Sequence, residues 1–276
     1  MERIAVLMTC HNRIAKTLGC LNALYGCSLP PETSIEVFLV DDGSTDGTSE
    51  AVHEGYPIVR IIRADGSLFW NRGMAMAFDI ASPEGFDYYL WLNDDTMLFQ
   101  DAILHLIEVS RSAGNGPAIA VGAISDPITG DFAYGGARKI GGRWRPFLCS
   151  YVEPNGLAQR VDVMNGNVVL LPGAVAAVVG NIDRRFEHAM GDTDYALRAA
   201  RLGIELFLTP GYVGSCLRNS NVGTHKDKGL SRPERLRQVF SRKGLPLQSW
   251  WLFCRRHGGF IWPVHFIRGY LKVLVD

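Results

Sequence analysis

Residues 37–46, Val37-Phe38-Leu39-Val40-Asp41-Asp42-Gly43-Ser44-Thr45-Asp46, constrain the fold of this 276-residue chain more than any other stretch. A run of apolar, strand-forming residues breaks off at two carboxylates and a glycine turn. An α/β protein presents acidic groups in this way at the carboxyl edge of a parallel sheet, where ligands bind. The pattern returns further on, where Tyr88-Tyr89-Leu90-Trp91-Leu92 runs into Asn93-Asp94-Asp95. Two strands that deliver carboxylates to one edge predict a site for a metal and a phosphorylated ligand.

Around these two stretches, strand and helix patterns alternate. Periodicity and turn residues predict strands at 4–8, 36–40, 58–63, 88–92 and 118–124, with helices at 13–25, 48–54, 71–80 and 101–110. That order predicts an α/β fold with a mostly parallel, doubly wound, Rossmann-like sheet. From 125 to 163 glycines, aromatics and turns take over, as in Tyr134-Gly135-Gly136 and Gly141-Gly142-Arg143-Trp144, which predicts a small antiparallel region. A strand at 168–171 and a helix at 193–202 follow. No repeat or low-complexity linker interrupts the chain, so one compact domain is expected over 1–225, with a helical extension over 226–276.

Charge divides at the same place. The extension holds eleven Lys or Arg against three Asp or Glu, a balance of +8 that leaves −8 on the body of a formally neutral chain. Bulk charge therefore argues against a nucleic-acid partner. The six cysteines form no CxxC pair and no zinc spacing, and read as reduced thiols. The amino terminus enters a strand without signal-peptide architecture, and the apolar run at 168–180 is broken by Pro172 and Gly173 and is too short to span a bilayer. These features predict a cytoplasmic protein.

Five motifs in order carry a family resemblance: Thr9-Cys10-His11-Asn12-Arg13, Asp41-Asp42-Gly43-Ser44-Thr45-Asp46, Asn71-Arg72-Gly73, Leu92-Asn93-Asp94-Asp95, and Gly191-Asp192-Thr193-Asp194-Tyr195-Ala196-Leu197-Arg198. Over roughly residues 4–225 the chain resembles family 2 glycosyltransferases, in particular bacterial enzymes of surface-polysaccharide assembly such as rhamnosyltransferases. The resemblance implies a GT-A fold with an antiparallel acceptor-side region, a nucleotide-sugar donor, Mg²⁺ or Mn²⁺, and inversion at the anomeric carbon. It also implies a glycan or lipid-linked acceptor.

The motifs then take roles. Thr9, Asn12, Arg13, Asp41, Asp42, Asn71, Arg72 and Asp94 are implied nucleotide contacts. Asp42 would accept the imide N–H of a uracil or thymine base, a group that adenine's pairing edge lacks, so the donor is expected to be a UDP- or dTDP-sugar. Asp95 would hold the metal, with His225 as a further ligand and His188 as its competitor. Hard oxygen donors suit Mg²⁺ or Mn²⁺. Asn93 stands at the first acidic position of the family's metal motif, and Gly191 stands where the family often has Glu. The catalytic base, which takes the acceptor's proton during attack, is expected to be Asp192, with Asp194 as the alternative. Asp194 and Arg198 are spaced for a helical ion pair. Trp70 and residues 164–167 are further candidates for the pocket wall.

Other readings fit less well. Residues 42–47 match the start of an EF-hand loop, but His53 falls where a bidentate Glu is required. A nucleotidyltransferase would need a glycine-rich loop after the first strand, and a dinucleotide enzyme a GxGxxG there; neither is present. A non-catalytic binding relative is the remaining rival. In the extension, Trp250, Trp251, Phe253, Phe260, Trp262, Phe266 and Tyr270 alternate with Arg255, Arg256, Arg268 and Lys272. This pattern suits a peripheral contact at the inner face of the plasma membrane. It equally suits a helical unit that packs on the core or across a homodimer.

Overall fold

The computed structural model describes residues 1–242 and 244–275, the last four of these by backbone alone, so the Lys272 side chain and Asp276 lie outside the described residues. The first half follows the alternation read from the sequence. It comprises β1 (Glu2–Cys10), α1 (Ile14–Tyr25), β2 (Thr33–Asp41), α2 (Thr48–Gly55), β3 (Arg60–Arg63), α3 (Phe69–Ala81) and β4 (Tyr88–Leu92). Next come β5 (Met97–Leu98), α4 (Ala102–Ser112) and β6 (Ile119–Ser125). β1 is central to this half, parallel to both β2 and β4, and β3 extends β2. Side chains on a strand alternate between faces, and β1 is buried on both. Ile4, Val6 and Met8 join the core under α1, α2 and α4, whereas Ala5 and Leu7 join the core under α3. A strand so placed must read as a continuous apolar run, which is why 4–8 is legible in the sequence.

Residues 125–163 form the antiparallel pieces expected there. β7 (Phe132–Tyr134) pairs with β6, while β8 (Gly136–Lys139) and β9 (Cys149–Tyr151) form a separate sheet with β11 (Val163–Met164). Several features depart from the sequence reading. β12 (Val168–Pro172) runs antiparallel to both β4 and β6 and so interrupts the parallel order. β13 (Leu206–Ser215), parallel to β6 and bordered by β10 (Gln159–Val161), is a strand that the sequence hides. Its Pro210 and Gly211 read as a turn, but they fall where the register slips between Leu208 and Tyr212. A bulge is where a strand tolerates such residues. α5 (Gly173–Val179) was likewise masked by its apolar neighbours; Gly173 lies so close to Phe86 that a β-carbon would sit 2.3 Å from its carbonyl oxygen.

The carboxyl-terminal part consists of α6 (Gly191–Arg201), α7 (Arg232–Val239), α8 (Leu247–His257) and α9 (Trp262–Val275). Trp250, Leu252, Phe253 and Cys254 of α8 share a third core with Phe186, Leu197 of α6 and Val163 of β11. Phe147 wedges between, its ring 5.4 Å from Trp250 and 5.1 Å from Phe253. On α9, Phe266 and Tyr270 pack inward, and Trp250 Nε1 donates to the Phe266 carbonyl at 3.0 Å. The aromatics of the extension therefore divide: these are core residues, whereas Trp251 and Phe260 stay exposed. Phe253→Ala is expected to destabilise the whole chain by about 3–5 kcal/mol in one cooperative urea transition. An unchanged midpoint would mean that α8 contributes nothing to the body's stability.

Candidate functional site

The carboxyl ends of β1, β2 and β4 open into a cleft of about 550 Å³. Strand register produces this convergence: Cys10 pairs with Asp41, and Leu7 with Trp91, so the loops after all three strands emerge side by side. Thr9, Arg13, Asp42, Asp94 and Asp95 line the cleft, and Trp70, residues 165–167, His188 and Asp192 complete its wall. A depression of similar volume, about 560 Å³, lies at the opposite ends of β1 and β4. There Glu2 is paired with Arg111 and Asp87 accepts the Arg3 amide, and none of the five sequence motifs contributes to the lining.

Asp94 and Asp95 form the acidic centre. Arg13 Nη1 lies 3.1 Å from Asp94 Oδ1 and 3.0 Å from Asp95 Oδ2, and Lys16 Nζ is 3.7 Å from Asp95. Burial and the neighbouring Asp95 push the Asp94 carboxyl up to about 6, against the opposing pull of Arg13. Its buried Oδ2 has no hydrogen-bond partner in the structure. An orphaned carboxylate oxygen beside a second carboxylate is a donor set that fits a hard divalent cation. Asn93, at the position where a third carboxylate would stand, instead accepts a hydrogen bond of 2.6 Å from Trp70 Nε1.

Asp192 lines the same cleft from the start of α6. Its carboxylate accepts the Gly166 amide at 3.1 Å and the Thr193 amide at 2.7 Å. Burial nevertheless raises its pKa above the usual carboxylate value. A carboxylate fixed by two amides, raised in basicity and facing a cleft has the properties of a general base. Gly166 is required by this arrangement, because a β-carbon there would sit 2.3 Å from the Trp70 ring. Trp70 and residues 165–167 thus prove to be one assembly that supports both Asn93 and Asp192.

Asp42 is buried and already engaged. Its Oδ1 accepts the Gly66 and Leu68 amides at 3.0 and 3.1 Å, and its Oδ2 accepts the Phe69 amide at 2.7 Å. This holds Phe69 at φ +57°, a left-handed conformation rare for a bulky residue. Asp41 points inward to the Ser44 amide and the Ser49 hydroxyl, and Asn12 accepts the Thr45 amide, so both shape the 41–49 turn.

The structure does not bring every candidate into the cleft. Asn71 is fully buried, its amide donating to the carbonyls of Asp183 and Phe186 at 2.8 Å each. Arg72 turns away to the Arg184 carbonyl and Glu187. Asp194, also fully buried, is bound by Arg198, Arg256 and His257 at 2.9, 2.6 and 2.8 Å, which leaves it no access to the cleft. His225 lies outside the cleft lining, and among the described residues no three His, Cys, Asp or Glu side chains form a metal cage. Sequence reasoning missed Cys216 and Asn219, which line the cleft after β13, and Tyr134. The Pro-Gly pair that conceals β13 also conceals the residues at its end.

With this geometry in place, the comparisons with known proteins agree with one another. The model of the family described as glycosyl transferase family 2 matches residues 5–171. The chain is 28% identical over 210 residues to an N-acetylglucosaminyl-diphospho-decaprenol L-rhamnosyltransferase of Mycobacterium tuberculosis, a match that covers 65% of this chain and 66% of that one. It is also 28% identical over 109 residues to the poly-beta-1,6-N-acetyl-D-glucosamine synthase of Staphylococcus epidermidis, covering 39% of this chain and 25% of the relative. Among solved structures, the mannosyltransferase PcManGT of Pyrobaculum calidifontis, in complex with GDP-Man and Mn²⁺, superposes with a TM-score of 0.58 at 15% identity. That match covers 99% of this chain and 73% of the other. GalNAc-T7 with UDP, GalNAc and Mn²⁺ superposes with a TM-score of 0.61 at 12% identity, over 94% of this chain and 51% of that one. These likenesses show a GT-A fold.

The electrostatics of the acidic centre make a direct test. Because Arg13 holds the Asp94 carboxyl down against burial, Arg13→Met is expected to raise its titration midpoint above about 6 in a carbon-13 carboxyl titration. A lower midpoint would contradict the assigned balance of burial and charge.

Proposed function

The chain belongs to glycosyl transferase family 2, and from that premise we propose that it is an inverting, metal-dependent glycosyltransferase. It moves a sugar from a UDP- or dTDP-sugar to a hydroxyl of a glycan or lipid-linked acceptor in surface-polysaccharide assembly. The observation that carries the reading is that Asp192 and the Asp94–Asp95 pair line one cleft from different elements. Inversion by direct displacement needs a base on the acceptor side and charge compensation on the leaving-group side, and the cleft supplies both from different elements.

In this mechanism the Gly166 and Thr193 amides aim the Asp192 carboxylate, which takes the proton from the acceptor hydroxyl as its oxygen attacks the anomeric carbon. Asp95, with Asp94 beside it, would hold Mg²⁺ or Mn²⁺, which when bound offsets the charge on the departing nucleoside diphosphate. Arg13, which lines the cleft and now sits on these carboxylates, would turn to phosphate oxygens when a nucleotide is bound, with Lys16 behind it on Asp95. Asp42 Oδ2 accepts a single amide and keeps a lone pair for a base imide, with Thr9 beside it. Asp41, Asn12, Asn71 and Arg72 act by fixing the turns that carry these groups. Asp194 acts by anchoring α6, and His225 remains a proposed ligand that would need its loop to approach Asp95. At a cytoplasmic membrane face, where thiols stay reduced, all six cysteines would remain the free thiols they are here.

Asp192→Asn is expected to lower transfer by at least about 100-fold, with calorimetric binding of UDP or dTDP in the presence of Mn²⁺ unchanged. A mutant of near-normal rate would remove Asp192 as the base. Because burial raises the Asp192 pKa, the acid limb of the wild-type kcat/KM profile is expected above the ordinary carboxylate range. Below that limb the rate should fall about tenfold per pH unit. Calorimetry with UDP, dTDP, GDP and ADP, with and without Mn²⁺, tests the donor: metal-dependent binding of UDP or dTDP alone supports the roles of Asp42 and Asp95. Equal binding of all four without metal would favour a non-catalytic binding relative.

A further inference from the structure

Two segments far apart in sequence carry an unusual charge balance. Residues 132–152 and 235–275 together hold twelve Lys or Arg and no Asp or Glu, leaving sixteen cations and all twenty-eight anions to the rest of the chain. The fold brings the two together. Arg268 Nη1 of α9 donates to the Trp144 carbonyl in the β8–β9 turn at 3.1 Å, and the Arg143 guanidinium lies 5.1 Å from the Phe260 ring centroid.

This junction also gathers exposed apolar side chains. Trp144 and Phe260 are 66% and 73% exposed, and Val264, Ile267 and Leu271 are 52%, 55% and 51% exposed. The last three recur at helical spacing along α9, on the side away from Phe266 and Tyr270, which pack inward. α9 is thus apolar on both faces, and the core covers one of them. Arg143 and Arg268 border the other at Phe260 and Trp144, and Lys139, Arg145 and Arg255 are further exposed cations of the same two segments.

We propose that this face, formed by the β8–β9 turn and the outer side of α9, lies on the surface of an anionic lipid bilayer. Apolar and aromatic side chains would enter the headgroup boundary while the arginines meet lipid phosphates. Charge complementarity selects this occupant. A second copy of the chain would set one predominantly cationic face, in which Asp162 beside Lys139 is the nearby acid, against another, and nucleic acid would leave Val264, Ile267 and Leu271 with nothing apolar to cover them. No helix among the described residues is long and apolar enough to cross a membrane, so the contact lies in the interfacial plane. From the same small sheet, β11 leads directly into residues 165–167 of the cleft wall. Delivery of a lipid-linked acceptor to the cleft by this route rests on the proposed transfer reaction; the binding surface does not.

The test is flotation of the full chain with vesicles of phosphatidylcholine alone and of an equimolar mixture with phosphatidylglycerol. The wild type is expected to float with the mixed vesicles only, less so at high salt. Trp144→Ser with Ile267→Asp should reduce that partition at least about tenfold. Arg143→Gln with Arg145→Gln, which leaves the apolar stripe intact, should reduce it at least about tenfold on mixed vesicles. Melting temperature and nucleotide calorimetry verify that each variant is folded. Absence of flotation, equal flotation with both vesicle types, or variants that float like wild type would overturn the proposal. A dimer seen by light scattering that Ile267→Asp dissociates would assign the face to self-association instead. Flotation that persists in a chain without transfer activity would leave this surface standing and the catalytic reading fallen; activity on a soluble acceptor without flotation would do the reverse.

Discussion

Asp194 has no exposure to water, and a carboxylate in that position is tolerated only when cations and hydrogen-bond donors surround it. Its partners come from two parts of the chain: Arg198 lies one turn along α6, and Arg256 and His257 lie at the end of α8. Arg198 also donates to the carbonyls of Val179 and Asn181, and Arg256 to Asp183, so the cluster ties the end of α5 to the start of α6. These partners hold Asp194 ionised and its pKa low despite burial. The first turn of α6 is thereby fixed from below, and Asp192 sits in that turn, two residues away. The carboxyl-terminal helices are consequently part of what orients the cleft.

The acidic centre follows a different logic. There the parallel register of β1, β2 and β4 brings carboxylates together, and like charges at such range repel. Arg13 and Lys16 reduce that repulsion from the start of α1, but Arg13 is substantially exposed and one oxygen of Asp94 has no partner. The arrangement is only partly neutralised. It retains capacity for added positive charge near Asp94 and Asp95, and for negative charge near the two basic side chains.

What the sequence disclosed follows from periodicity. β1, β2, β4 and β6 are buried on both faces and read as apolar runs, and the carboxylates that end them were visible as abrupt changes of chemistry. β13 was not visible, because Pro210 and Gly211 occupy a bulge that no single-residue signal separates from a turn. Asn71 and Arg72 show a limit of a different kind. Their polarity suggested ligand contact, but buried carbonyls between α5 and α6 claim Asn71, and such a demand appears only once the chain has folded. The aromatic extension was ambiguous for a geometric reason: α9 is apolar on two sides, and composition does not say which side the body covers.

Gly191 carries a consequence for how this chain can diverge. A β-carbon at that position would fall 1.5 Å from Asn71 Oδ1, within the van der Waals radius of the oxygen. The two residues share one volume, so a side chain at either position excludes the other. A lineage in which position 191 becomes acidic must first lose the amide at 71, and with it the hydrogen bonds to Asp183 and Phe186. An acidic residue at 191 is therefore expected in descent only together with, or after, a change at 71.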